Sequence, residues 1–361
     1  PQQACSMHKM QYHGTMTRRT ALILLLLAIL TGTSAAAESL TLNKPNWSET
    51  DALAAISSVD TAQETGRLSQ LASSGDSAAL LERAMEVGDN AAWPLPAREF
   101  VLFELARSLG DLPAGQVSSE VTDYLASLPA RVRIAHPDHP GASMPMFNVA
   151  AAAKGATVEW ERQAAAAEAD RLIVAGRQQW LDAYLQAAPA QRAGFRRSAA
   201  NYSDPELAGL AEIALAQSSQ HAELAILATM AGLRLGDSTL FSQSLASDSD
   251  HSLAEMIRSS REFFPRADLQ VILLSTVQQA PPSTASLVIA ELAPGLLDQP
   301  AVEDLMFELL GDRQLGASAA LVLSSAETPR RRARLAAVAG DSPELAAKRA
   351  RLALSAMERE R

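Results

Sequence analysis

The most suggestive chemical motif in the chain is HPDHP, which places His136, Asp138 and His139 within four residues. Two imidazoles and a carboxylate could ligate zinc, because zinc takes nitrogen and oxygen donors in a compact tetrahedron and a loop can converge them. A protein-held zinc needs further ligands. Past the amino-terminal segment, the only other histidines are His221 and His251, and neither is an evident partner for the loop. Pro137 and Pro140 stiffen the stretch. A rigid turn carrying polar side chains is the expectation, and no metal ligand is assigned.

Nucleophilic catalysis has no motif to stand on. There is no G-x-S-x-G elbow, no H-E-x-x-H helix and no S-x-x-K set with its companion motifs. No glycine-rich phosphate loop opens a helix. Glu303-Asp304 is an adjacent carboxylate pair, but both lie off the apolar stripe of their segment. They are expected on a solvated helix face, which offers no cleft for acid–base work. The basic run PRRRARLA (Pro329–Ala336), continued by Lys348, Arg349 and Arg351, could meet an acidic partner or an anionic lipid surface. The simpler account is a solvated face that complements helix carboxyl ends and acidic neighbours. Trp47, Trp93, Trp160 and Trp180 are scattered and are expected to fill core or groove. Asn46-Trp47-Ser48 and Asn201-Tyr202-Ser203 fit glycosylation acceptors, which act only in a eukaryotic secretory host. The composition and the leader look bacterial. No catalytic, cofactor-binding or metal-binding residue is assigned, and no cofactor is expected.

Any such chemistry must be held by the elements that the rest of the chain can form. The 361 residues suffice for one long domain or two ordinary ones. Apolar residues make up 48%, enough for a core, while aromatics are only 4%. An alanine-rich, aromatic-poor mix favours closely packed helices over a β-sandwich. Net charge is −10, and it is unevenly spread. Residues 38–361 hold 28 basic and 41 acidic side chains, whereas from Pro329 onward the count is nine basic to four acidic. The body between residues 38 and 328 therefore stands at −18, which argues against a nucleic-acid binder resting on phosphate neutralisation.

Met16 opens an export signal. Arg18-Arg19 is its basic region, ALILLLLAIL (Ala21–Leu30) its apolar core, and Ala35-Ala36-Ala37 its small-residue end. That is the pattern of a secretory signal peptide, too short to span a membrane comfortably. Cleavage is expected after Ala37, with residues 1–15 excluded from the mature protein. TRRTAL is faintly similar to a twin-arginine signal, but the leucine-dense core favours ordinary unfolded export. Cys5, the one cysteine, lies upstream, so the mature chain is expected to have no disulfide, cysteine metal site or lipidated cysteine. No later stretch reaches membrane-spanning length. The expected product is periplasmic if the source is Gram-negative.

Gly-Asp recurs at Gly75-Asp76, Gly88-Asp89, Gly110-Asp111, Gly236-Asp237, Gly311-Asp312 and Gly340-Asp341. Glycine tolerates the left-handed conformation that closes a helix, and the aspartate can cap the next one. Each pair reads as a hinge between helices. In AVEDLMFELL, Val302, Leu305, Met306, Leu309 and Leu310 form one apolar stripe at helical spacing, opened by Pro300. Leu315, Ala319, Val322 and Leu323 form the next, and Pro329 opens a third helix. SDPELAGLAEIALA from Ser203 echoes DSPELAAKRARLALSA from Asp341, and both starts fit a capping box with Glu206 and Glu344.

Upstream, residues 41–50 read as an extended lead-in and LPAREFVLFELARSL (Leu95–Leu109) as a helix. A proline-rich loop follows at 129–146, then an alanine-rich helix pair broken at Gly155. The strand-like window LQVILLSTV (Leu269–Val277) is assigned to a buried helix because its surroundings are helical.

Short helices of this kind must stack to bury their stripes. On the residues LLGDRQLGASAALVLSSA (Leu309–Ala326) and the two PELA helices, the chain resembles the HEAT-like repeat families. The likeness covers roughly the final 160 residues and the middle more loosely. The 29 residues from Gly311 to Gly340 are fewer than the roughly 40 of ordinary HEAT units and nearer the short HEAT-like repeats of bacteria. The arginine that often follows the hinge has no counterpart at Leu315-Gly316. The resemblance implies an all-α, right-handed solenoid of the HEAT/armadillo kind that binds or scaffolds, and it carries over no catalytic residue. The expected division is 1–15, a signal peptide at 16–37, an amino-terminal helical region at 38–140 and a repeat region at 141–361. The expected role is a non-catalytic scaffold for a protein or peptide in the cell envelope, with no nucleic acid and no membrane span. A cell-envelope hydrolase with a site near His136 and His139, and a structural module of an envelope assembly, are the alternatives.

Overall fold

The computed structural model describes residues 45–245, 251–341 and 344–359. The export signal expected at 16–37 lies outside them. Among the described residues there are eighteen α-helices and one two-stranded hairpin, so the fold is all-α. Helices α1 (Glu49–Ser57), α2 (Thr61–Ser74), α3 (Ser77–Asp89), α4 (Leu95–Leu109) and α5 (Ser119–Ser127) come first. Strands β1 (Arg133–Ala135) and β2 (Ser143–Pro145) precede the 27-residue α6 (Val149–Ala175). Then follow α7 (Arg177–Gln186), α8 (Pro189–Ala199), α9 (Asp204–Gln217), α10 (Ala222–Leu235) and α11 (Ser238–Ser244). The last seven are α12 (His251–Phe263), α13 (Arg266–Gln279), α14 (Pro282–Leu292), α15 (Pro300–Glu308), α16 (Gly316–Ser324), α17 (Pro329–Asp341) and α18 (Glu344–Arg359). No described helix is long and apolar enough to cross a membrane.

Local signals set many of these boundaries. Pro300 stands at the first turn of α15, where a missing N–H costs nothing. Val302, Met306 and Leu310 are fully buried, and Ala319 and Leu323 of α16 face them from the same core. Residues 269–277 lie within α13 and bury Leu269, Ile272, Leu273 and Thr276, so the helical period wins over β-branched content. Glu206 reaches back to the Ser203 N–H at 3.2 Å, as a capping box requires. Of the matching start at Asp341–Glu344, residues 342 and 343 lie outside the described residues.

The Gly-Asp hinges divide. Gly75 and Gly236 take the left-handed conformation, and Asp76 and Asp237 accept N–H groups of the following helix. The other glycines do not. Gly88 lies inside α3. Gly110 stays right-handed after α4, Gly311 closes a short 3-10 turn, and Gly340 lies within α17. Asp312 closes the turn that leads into α16, accepting the Gln314 and Leu315 N–H groups at 2.8 Å each, while Leu315 takes the cap position of that helix without a side-chain bond. Those two bonds, Leu315's the larger, hold its carboxyl below the usual aspartate range. Asp312→Ala is expected to cost about 1 kcal/mol at neutral pH in urea denaturation. A depressed folded pKa means this stability is present above the unfolded value near 3.9 and is lost as pH falls through the folded one. The difference from wild type should therefore close in strong acid. A gap that persists there would assign the cost to something other than the charged carboxylate.

Two further expectations are corrected. α6 runs unbroken through Gly155. A glycine in a helix costs only about 1 kcal/mol, and apolar packing along both halves of α6 outweighs it: Ala153 and Ala156 join one core, Ala165 and Ala169 the next. The proline-rich stretch is a β-hairpin, with Ile134 opposite Met144 and Ala135 opposite Ser143. Gly141 has φ 87°, so it supplies the turn. Position 140 thus falls inside that turn.

Three apolar clusters follow one another along the chain, spanning Leu68–Ala156, Ala165–Ala231 and Phe241–Met357. α6 joins the first to the second. It packs on α8 so closely that a Cβ at Gly194 would stand 2.2 Å from the Arg162 carbonyl oxygen and 2.9 Å from the Ala165 methyl. Alanine is the better helix former by about 1 kcal/mol, but a backbone oxygen cannot swing aside. Gly194→Ala is therefore expected to be net destabilising by about 2 kcal/mol, read from the urea midpoint. An unchanged or raised midpoint would show that the helices separate freely.

Beyond α9 the contacts have a simple order. α10 packs on α11 and α12, α11 on α13, α12 on α14, α13 on α14 and α15, α14 on α16, and α16 on α18. Alternate helices thus touch in succession, α10, α12, α14, α16 and α18 in one series and α11, α13 and α15 in another. α17 packs on α18 and is tied to α15 by ion pairs.

Candidate functional site

The HPDHP residues sit at the tip of the hairpin. The His136 and His139 rings lie 4.5 Å apart, centroid to centroid. The Asp138 N–H donates to His136 Nδ1 at 3.1 Å, which occupies one imidazole nitrogen. Asp138 and His139 are exposed and His136 is half-buried. Among the described residues no three His, Cys, Asp or Glu side chains gather closely enough to hold a metal ion. His221 precedes α10, and His251 begins α12.

The basic run is largely engaged within the chain. Arg331 is buried and pairs with Glu303 at 2.8 Å. Arg334 meets Asp304 at 2.5 Å and lies 4.0 Å above the Phe307 ring. Arg332 reaches Glu327 and Glu358 at 3.5 Å each, and Lys348 pairs with Glu344. Arg349 donates to the Leu310 carbonyl at 2.8 Å and Arg351 to the Ala339 carbonyl at 2.9 Å. This corrects the solvated reading of Glu303, whose exposure is only 8%. α17 lays Arg331 over it, and a buried carboxylate needs such a partner.

A small notch of about 40 Å³ lies among α3, α4, α5 and the chain entering the hairpin. Glu99 of α4, 4% exposed, forms its floor. Its carboxylate accepts the Arg131 N–H at 2.8 Å and the Val132 N–H at 3.1 Å, which fastens the hairpin's first strand to the helix. Burial pushes the Glu99 carboxyl up, and these two N–H bonds oppose the shift. The Arg131 guanidinium comes only to 3.9 Å. Arg98, one residue earlier, turns to the Gly88 carbonyl at 2.9 Å. Its Nε–H is buried and has no hydrogen-bond partner.

Tyr124 of α5 completes the wall. Its hydroxyl is 3.5 Å from the Ala84 carbonyl, a long contact. Burial, and secondarily the charge of Asp89, raise its pKa. A Cβ at position 88 would lie 2.6 Å from that hydroxyl. Gly88 is therefore a glycine so that Tyr124 can approach, and its neighbour Asp89 lies at the rim. Leu102, Leu128 and Val149 supply apolar wall. No histidine, serine, threonine or cysteine is among the lining residues.

No motif marks Arg98, Glu99, Tyr124 or Arg131 in the sequence. The nearest signal is an acid inside the apolar segment Leu95–Leu109, at a position that the helical period buries. No protein-family model, curated protein or solved structure matches the chain.

Proposed function

We propose that the chain is an exported α-solenoid of short, HEAT-like helix pairs that presents an extended face to a protein or peptide partner in the cell envelope. The observation that carries this reading is the register of its side-chain ties. Arg234 meets Asp204 across 30 residues, Arg258 meets Glu291 across 33, and Arg334 meets Asp304 across 30. The Ser242–Ser275 and Ser286–Ser318 hydroxyl pairs span 33 and 32 residues. The last four separations each step over one helix pair, close to the 29 residues between Gly311 and Gly340, whereas Arg234 and Asp204 tie the consecutive helices α9 and α10. A chain whose units touch mainly their neighbours is a stack, and stacks offer long surfaces for recognition. The leader pattern at residues 16–37 supports export.

The immobilised mature chain, challenged with envelope extract at low and at high ionic strength, is expected to retain a defined protein in both. Retention of nothing above the level of an unrelated helical protein would sink the scaffold reading.

A further inference from the structure

We propose that the outer edge of β1 is a docking site for an extended peptide, which pairs with it as an antiparallel strand, and that Asn46 holds the site shut. Among the described residues β1 pairs only with β2. Val132, Ile134 and His136 turn their main-chain groups toward β2: the Met146 N–H donates to the Val132 carbonyl, and the His136 N–H to the Ala142 carbonyl. Ladder bonds alternate along a strand, so the N–H and C=O of Arg133 and of Ala135 face the other way. Asn46 already occupies part of that edge. Its own N–H donates to the Arg133 carbonyl at 3.0 Å, and its Oδ1 accepts the Arg133 N–H at 2.9 Å. A residue directly opposite in an antiparallel pair exchanges the same two bonds, with a main-chain carbonyl in place of the side-chain one. Asn46 Nδ2 and the Trp47 N–H add bonds to the Arg131 and Arg133 carbonyls at 2.7 and 3.2 Å. The side chain thus imitates a strand, and the imitation is short, since Pro45 has no N–H with which to continue it. The edge keeps its shape without Asn46. Glu99 of α4 ties down the Arg131 and Val132 N–H groups from behind, and β2 holds the rest. Asn46, Arg131 and Ala135 are exposed, so the edge can be reached. A peptide strand supplies main-chain partners to Arg133 and Ala135 together, one residue more than Asn46 reaches. The site rests on the hairpin's own bonds and holds whether or not the helices beyond it form a scaffold.

The probe is a fluorescein-labelled threonine–valine pentapeptide with capped ends, and the control is its N-methylated copy, which has no main-chain N–H to donate. Fluorescence anisotropy on the mature chain is expected to show about tenfold tighter binding of the pentapeptide by Asn46→Ala than by wild type, because the variant loses both side-chain bonds to the edge. Asn46→Asp loses the donor and sets a carboxylate against the Arg131 carbonyl, so it is expected to bind about threefold more tightly than wild type. It carries the comparison if circular dichroism shows that Asn46→Ala does not fold. The N-methylated copy is expected to bind none of the three chains. Hydrogen exchange with the pentapeptide bound is expected to show added protection at Arg133 and Ala135. Absence of binding to both variants, equal affinity across the three chains, binding of the N-methylated copy as tight as the parent, or protection gained only outside residues 131–135 would overturn the assignment.

Discussion

Arg331→Met is expected to destabilise the carboxyl-terminal helices by about 3–5 kcal/mol, because it leaves Glu303 buried without a counter-charge. Arg331 is 4% exposed, and its guanidinium does three things at once. Nε meets Glu303 at 2.8 Å, Nη2 donates to the Leu297 carbonyl at 3.1 Å, and Nη1 donates to the Ala326 carbonyl. Methionine fills much of the same volume and satisfies none of these acceptors. The cost belongs to the broken pair more than to the arginine. Arg331→Met combined with Glu303→Leu should therefore recover most of the loss, since an apolar replacement of both partners is often neutral. Urea denaturation of the two single variants and the double variant reads this directly. A loss below about 1 kcal/mol in Arg331→Met, the range of exposed pairs, would show that water reaches Glu303.

Trp180→Ala should cost a similar amount, about 3–5 kcal/mol. Trp180 is fully buried in an aromatic-poor chain. Its ring stacks on Tyr184 at 5.4 Å and meets the edge of Phe195 at 5.0 Å. Its indole N–H donates to the Tyr202 hydroxyl at 3.0 Å, which in turn lies 2.9 Å from Ser198 Oγ, and Ser198 donates to Asp170. Trp180→Phe keeps an aromatic ring and leaves the Tyr202 hydroxyl bonded to Ser198, so it should lose only about 2 kcal/mol. Equal losses in the two variants, measured by urea denaturation, would mean that the ring contributes little and that the indole hydrogen bond dominates.

What was legible in the sequence was what neighbouring residues decide. The stripe Val302, Met306 and Leu310 and the proline at 300 marked α15 because helix period and helix start are local properties. The all-α class followed from many such segments. The Gly-Asp pairs were only partly legible, because a glycine has more than one use. Gly75 and Gly236 turn the chain, but Gly88 makes room for Tyr124, which lies 36 residues further on. Glu303 was read as solvated for the same reason: its cover, Arg331, arrives from 28 residues away. The notch was invisible. Gly88, Glu99, Tyr124 and Arg131 belong to separate segments, and only the packing of three helices on the hairpin brings them together.

The proposed stack is most directly tested by hydrogen exchange on wild type and Arg331→Met, compared helix by helix. If each unit is coupled mainly to its neighbours, lost protection will be confined to the segment around α15–α18, and α1–α9 will exchange as in wild type. A uniform loss across all the described helices would contradict the proposed repeat architecture and mark a single cooperative globule.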